Sequence, residues 1–206
     1  MSHSNDAEFS NDDLVTGLKD RGWAMSADWL SATVVRQLAC EARAEYADGA
    51  FAAAQVGGSA SRTLAPQLRG DRIRWIESLH ATAAQAALLQ RLEGLRLDIN
   101  RTLMFGLFDL EAHFALYPPG AFYGRHVDRF QSDDTRTVSV VLYLNEDWRA
   151  ACGGQLRLEV GEGKSIDILP AGGTLVCFLS DRFPHEVLPA NRERLSVAGW
   201  FKRRKI

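Results

Sequence analysis

The sequence predicts an α+β protein whose core is a double-stranded β-helix, a jelly roll, buttressed by N-terminal helices. Apolar residues recur at helical spacing only in the first half of the chain. Beyond Gly106 the pattern becomes a series of short apolar and alternating runs rich in Val, Leu and aromatic residues. Turn signals divide those runs at Pro118-Pro119-Gly120, Gly153-Gly154, Gly161-Glu162-Gly163 and Ala171-Gly172-Gly173. Eight short strands after a helical half suggest a double-sheet jelly roll buttressed by helices.

Taken in order, residues 1–22 read as a flexible segment or a short leading element, with Met1 to Asp13 polar and acidic. Ser26 is the candidate N-cap of a first helix. Asp28 suits its first turn, Leu30, Val34, Leu38 and Ala42 form its apolar stripe, and Gly49 stops it. Residues 53–69 contain few large apolar groups and read as a surface loop. Arg72 to Ile76 then alternate as a strand does. A second helix is expected over His80–Arg101, with Ala84, Leu88, Leu92 and Leu95 or Arg96 on one face and Gly94 weakening its later part. The expected strands are Glu111–Leu116, Phe122–Asp128, Thr137–Leu144, Gln155–Val160, Ser165–Leu169, Thr174–Leu179, His185–Leu188 and Leu195–Lys202. No linker divides residues 23–206, which read as one domain.

Composition narrows the classes. The 206 residues carry a formal net charge of −2, which gives no reason to expect a nucleic-acid or membrane partner. No apolar run is long enough to span a bilayer, and the N-terminus lacks the basic flank and apolar core of a signal peptide. Cys40, Cys152 and Cys177 show no paired zinc spacing and read as reduced thiols, which points to the cytoplasm. A monomer is the default expectation.

The chemistry centres on Tyr117 to Asp128, a stretch ending in His126-Val127-Asp128. On an extended strand, residues two apart face the same way, so an imidazole and a carboxylate at these positions can reach one metal ion. Alone this pair is a weak signal. His185, in Phe183-Pro184-His185-Glu186, is the candidate third ligand, and Arg194 opens the apolar run that follows it. Two histidines and one carboxylate form the facial triad of non-haem Fe(II) oxygenases, with open positions for co-substrate and oxygen. An arginine on the next strand can hold a dicarboxylate through a bidentate fork.

In this company the sequence resembles the prolyl hydroxylase branch of the Fe(II)/2-oxoglutarate-dependent dioxygenases, near the hypoxia-inducible-factor prolyl hydroxylases and their bacterial homologues. The residues that carry the resemblance include Arg69-Gly70-Asp71 with Trp75-Ile76-Glu77, Arg125-His126-Val127-Asp128, Tyr143-Leu144-Asn145 and Gly153-Gly154-Gln155-Leu156-Arg157. Ser180 to Val187 and Arg194 to Phe201 complete it, and the match runs in order from about Ala24 to the end.

The resemblance implies a cupin-like barrel, Fe(II) held by His126, Asp128 and His185, and catalysis at that ion. It implies 2-oxoglutarate bound by Arg194 and Tyr143, with Tyr117 near the iron, and O2 and ascorbate as further requirements. Arg136 and Trp200 match positions at the substrate entrance, and residues 53–69 match a flap over a protein substrate. The implied reaction is C4 hydroxylation of a prolyl residue. The chain stops soon after its last strand, without a counterpart to the C-terminal helix of the animal enzymes. The expected substrate is therefore a translation factor such as elongation factor Tu rather than a transcription factor. The alternatives are the same chemistry on another residue or a small molecule, and a non-enzymatic metal-binding, oxygen-sensing module.

Overall fold

The computed structural model describes residues 10–55, 63, 65, 67–129 and 135–205. Helix α1 (Asp12–Arg21) has acidic residues in its first turn, basic residues in its last and left-handed Gly22 as its C-cap. It lies inside the stretch expected to be loose or a short leading element. Leu14 and Leu18 are nevertheless fully buried. Strand β1 (Trp23–Ser26) follows directly, so Ser26 is not a helix cap. Helix α2 (Ala32–Ala47) is capped by Ser31, whose hydroxyl accepts from the Val34 amide. The correction has a local cause: Ser31 immediately precedes the residues that keep helical spacing, whereas Ser26 precedes a tight turn with Asp28 at positive φ.

Helix α3 (Ala83–Leu103) begins at Thr82, which accepts from the Gln85 amide, and Gly94 does not interrupt it. Ala84, Leu88, Leu92, Leu95 and Ile99 form its buried face. Truncating a side chain such as Leu88 to alanine costs about 2–5 kcal/mol.

The short strands β2 (Ala52–Ala53) and β3 (Arg72–Trp75) precede the long β4 (Leu107–Tyr117). After these come β5 (Tyr123–His126), β6 (Arg136–Tyr143), β7 (Leu156–Gly161), β8 (Lys164–Ile168), β9 (Leu175–Leu179), β10 (His185–Val187) and β11 (Arg194–Arg203). Among the described residues they form a seven-stranded sheet, in the order β1-β9-β6-β11-β4-β3-β2, and a four-stranded sheet, β5-β10-β7-β8. All the pairings between these strands are antiparallel. This is the jelly roll with helical support. Strands β1 and β2 were not expected from the sequence, and β5 ends at His126 rather than Asp128.

The large sheet is buried on both faces, and the period of two sorts its residues. Phe114, Leu116, Val138, Val140, Leu142, Leu195, Val197 and Phe201 join the helices in one core. Their neighbours Ala115, Tyr117, Tyr143, Val176 and Phe178 face the small sheet and pack with Leu156, Leu158 and Val187 in a second. The continuation of this inter-sheet space is the site. The three cysteines are free thiols, and no helix among the described residues is long and apolar enough to cross a membrane.

Candidate active site

Strands β5 and β10 are antiparallel neighbours with His126 directly opposite His185. That register brings the two imidazoles to a ring separation of 4.2 Å. Asp128 lies just past β5, and its carboxylate enters between them. Its oxygens stand 3.6 Å from Nε2 of His126 and 3.7 Å from Nε2 of His185. These distances exceed a hydrogen bond, while one ligand atom of each residue lies within 4.8 Å of the others. Nδ1 of His126 lies 2.9 Å from the Gly124 carbonyl, and Nδ1 of His185 lies 3.0 Å from the Phe183 carbonyl. A carbonyl can only accept, so each Nδ1 donates and each Nε2 is left with its lone pair toward Asp128.

The electrostatics agree with that donor set. Burial opposes ionisation of Asp128, but His185, His126 and the Ser139 hydroxyl together outweigh it and hold the carboxyl well below the usual range. Ser139 Oγ donates to Asp128 at 2.6 Å and lies 2.9 Å from Ser180 Oγ. Burial pushes the His185 imidazole toward its neutral form. Two imidazoles and an anionic carboxylate with no direct bond among them fit a single Fe(II) ion.

Beside this cluster lies the second half of the site. Arg194 is 1 % exposed, and no carboxylate among the described residues pairs with it. Its Nε donates to the Gly154 carbonyl at 2.8 Å, its Nη1 to Ser196 Oγ at 3.4 Å, and its guanidinium lies over the rings of Tyr117 and Tyr143. Tyr143 is completely buried, with no hydrogen-bond partner for its hydroxyl among the described residues. Burial pushes that hydroxyl up to about 12, against the pull of the Arg194 charge. A buried cation without a counter-ion and a phenol without a partner are costly unless an anion joins them. A dicarboxylate fits both.

Cluster and cation share one cavity of about 400 Å³. Arg136 and Trp200 line it too, the guanidinium lying 3.5 Å over the indole while Glu111 accepts from Arg136 Nε and Nη2 at 3.0 and 2.9 Å. Tyr117 is buried beneath Arg194. Most of the segment expected to act as a flap, residues 53–69, lies outside the described residues.

The sequence alone assigns no individual role to Ser139, Gly154, Glu111, Tyr123 or Asn145, although Gly154 and Asn145 lie in motifs that carry the resemblance. Asn145 Oδ1 accepts from the Leu195 amide at 2.7 Å and its Nδ2 donates to the Pro170 carbonyl at 2.8 Å, which pins the start of β11 beside Arg194.

A family model described as the 2OG-Fe(II) oxygenase superfamily matches residues 112–202. Egl nine homolog 1 of Homo sapiens is 32 % identical over 197 residues, covering 91 % of this chain and 45 % of its own length. The chain thus spans about half the length of that relative. A crystal structure of a Pseudomonas putida prolyl-4-hydroxylase is 48 % identical, covers 95 % of this chain and 100 % of its own, and superposes with a TM-score of 0.86. A Trichoplax adhaerens prolyl hydroxylase, solved with a hypoxia inducible factor oxygen degradation domain peptide fragment, is 29 % identical with a TM-score of 0.85, covering 93 % of this chain and 88 % of its own. The chain belongs to the 2OG-Fe(II) oxygenase superfamily and, within it, to the prolyl hydroxylase family. Membership implies Fe(II), 2-oxoglutarate and O2 as the working set.

Proposed function

We propose that this protein is an Fe(II)- and 2-oxoglutarate-dependent dioxygenase that hydroxylates C4 of a prolyl residue in a protein substrate. Residues 23–206 form the oxygenase unit. The observation that carries the reading is the placement of buried Arg194, with no carboxylate partner among the described residues, in the same cavity as the His126, Asp128, His185 cluster, with the buried Tyr143 ring against its guanidinium. A plain metal-binding module has no use for a dicarboxylate clamp.

In this reading His126, Asp128 and His185 hold the ion, with Ser139 fixing the carboxylate. Arg194 receives the distal carboxylate of 2-oxoglutarate through its remaining N–H groups, and Tyr143 donates its hydroxyl to the same anion. The buried aromatic walls exclude water from the reacting centre. The iron, with 2-oxoglutarate and O2, supplies the oxidising chemistry. One oxygen atom enters the substrate C–H bond, and the other leaves in succinate as CO2 is released. Arg136, stacked on Trp200 at the cavity wall, and Trp200 itself meet the substrate polypeptide; Tyr117 lines the co-substrate side near the ion.

A translation factor such as elongation factor Tu is the substrate we favour, on the resemblance to simpler prolyl hydroxylases. Ascorbate serves as the reductant that keeps iron ferrous, and the enzyme works as a cytoplasmic monomer. The test is succinate release with Fe(II) and ascorbate in the presence of purified elongation factor Tu, size-fractionated lysate or free small molecules. Stimulation by a protein fraction, with one oxygen added at a proline in the mass spectrum, is the expected result. Stimulation by small molecules alone overturns the protein-substrate reading. Failure to turn over under any condition, with iron bound, overturns the enzyme.

A further inference from the structure

His126 sits on an insecure element. Strand β5 is the edge of the small sheet, and its pairing with β10 is interrupted by a register shift between His185 and Val187. His185, by contrast, is on a strand paired on both sides, with β5 and β7. Edge strands lack the lateral bonds that fix a central one, so a ligand carried there needs support from outside the sheet.

That support is present. The Tyr123 ring stacks on the His126 imidazole with centroids 3.6 Å apart and planes only 14° from parallel. The Arg69 guanidinium lies over the Tyr123 ring at 4.2 Å. Two flat groups at these distances cannot share one face, so Tyr123 is sandwiched between them. Arg69 is fixed in turn by a bidentate pair with buried Asp71, Nε to Oδ1 at 2.7 Å and Nη2 to Oδ2 at 2.6 Å. Residues 68–70 also bond to the outer side of β5: Arg69 bridges to Tyr123, the Gly124 amide donates to the Leu68 carbonyl at 2.7 Å, and the Gly70 amide donates to the Phe122 carbonyl at 2.9 Å.

We propose that Tyr123, backed by the Arg69–Asp71 pair, is a positioning residue that sets the plane of the His126 imidazole and thereby the affinity of the metal centre. The inference rests on the metal-centre reading above. The Gly124 carbonyl fixes which nitrogen faces the ion, but a single hydrogen bond leaves the ring free to tilt about it. The stack removes that freedom. Because Arg69 and Asp71 lie just before β3, the chain leading into the large sheet braces a ligand held by the small one.

The test is Mn(II) binding to the full chain by calorimetry, together with the visible spectrum of the Co(II)-loaded protein, for Tyr123→Phe, Tyr123→Ala, Tyr123→Leu and Arg69→Met. Tyr123→Phe keeps the flat face and is expected to bind like the wild type. Tyr123→Ala should bind about 10–100-fold more weakly, as loss of an outer support typically does, with a shifted Co(II) spectrum. Arg69→Met should lie between them. If Tyr123→Ala does not fold, Tyr123→Leu retains bulk without the planar face and is expected to show the same loss. Folded Tyr123→Ala or Tyr123→Leu with wild-type affinity and spectrum overturns the positioning role. So does equal loss in the phenylalanine variant, which would point to the hydroxyl instead. Wild-type protein that takes up no Mn(II) overturns the metal-centre reading and this inference together.

Discussion

Arg194 is held by the carbonyl oxygen of Gly154, which accepts from its Nε at 2.8 Å. The contact depends on a backbone that only glycine adopts readily: Gly154 has φ +73°, and a Cβ there would stand 3.2 Å from Arg194 Cδ and 3.1 Å from Trp148 Cζ2. Gly154→Ala should therefore displace the guanidinium. The left-handed conformation costs an L-residue roughly 1–2 kcal/mol, and if that strain is relieved by moving Arg194, affinity for 2-oxoglutarate falls about tenfold. Titration of Mn(II)-loaded protein with 2-oxoglutarate checks this, and the turnover rate at saturating 2-oxoglutarate should change much less.

Arg194 itself makes a prediction with two opposite signs. Its charge is buried without a counter-ion among the described residues, an arrangement that favours the bound state and penalises the empty one. Arg194→Met should lose the rise in Tm that 2-oxoglutarate gives the metal-loaded wild type. The Tm without co-substrate should hold or rise slightly. Arg194→Lys keeps the charge but not the planar fork, and is expected to raise the 2-oxoglutarate KM while leaving much of kcat.

The metal cluster is tested from its outer side as well as directly. Asp128→Ala should abolish turnover. Ser139→Ala removes the 2.6 Å hydrogen bond to Asp128 without touching a ligand. It should weaken Mn(II) binding by about 10–100-fold while the fold is retained. Equal metal affinity in Ser139→Ala and wild type would show that Asp128 is oriented without it.

Much of this architecture is legible in the sequence because it follows from periodicity. The change from helical to alternating spacing near Gly106 coincides with the start of β4 at Leu107, although the strand itself is expected only from Glu111. Helix α1 is legible only as an optional short leading element, since its few apolar residues, Leu14, Val15 and Leu18, sit among charges and are buried by the following strand β1 together with α3 and β9, which lie far along the chain. Convergence of His126, Asp128 and His185 can be anticipated from residue type and spacing, although Asp128 reaches the cluster from beyond the strand assigned to it. Ser139, Gly154 and Tyr123 are different. Each is an ordinary residue in its local context, and its role is created by sheet register or by a turn meeting a partner far along the chain.

Glu111 belongs to that class too. Its carboxylate holds Arg136 flat on Trp200 and also accepts from Lys202 Nζ at 3.2 Å. Glu111→Gln keeps the shape but weakens both charged contacts, leaving the Arg136 guanidinium freer to leave the indole. The KM for the protein substrate should change severalfold, while the KM for 2-oxoglutarate, set by Arg194 at the start of β11, should not. Parallel changes in both constants would place the effect in the fold rather than at the cavity wall.

Stability should depend on pH through His113, which is flanked by Trp75 and Trp200 with ring separations of 4.9 and 5.4 Å. Its Nδ1 is buried with no partner among the described residues. Burial is the main cause that lowers its pKa from 6.5 to about 4; Asp71 pulls it up, while Arg69 and Arg136 push it further down. The unfolded chain thus takes up a proton near pH 6.5, and the folded protein does so only near pH 4. Above that window both states are neutral and the group contributes no pH dependence; as pH falls through it, stability is lost, and below it the loss is complete. The difference of 6.5 − 4 = 2.5 in pKa corresponds to about 3 kcal/mol at most. Carboxylates titrate in the same range, so the measurement is the difference in urea-unfolding free energy between wild type and His113→Leu. That difference should shift toward the leucine variant by up to this amount between pH 7 and pH 4. A difference independent of pH would mean that the imidazole is hydrated or partnered in the folded protein, and that Trp75 and Trp200 do not seal it from water.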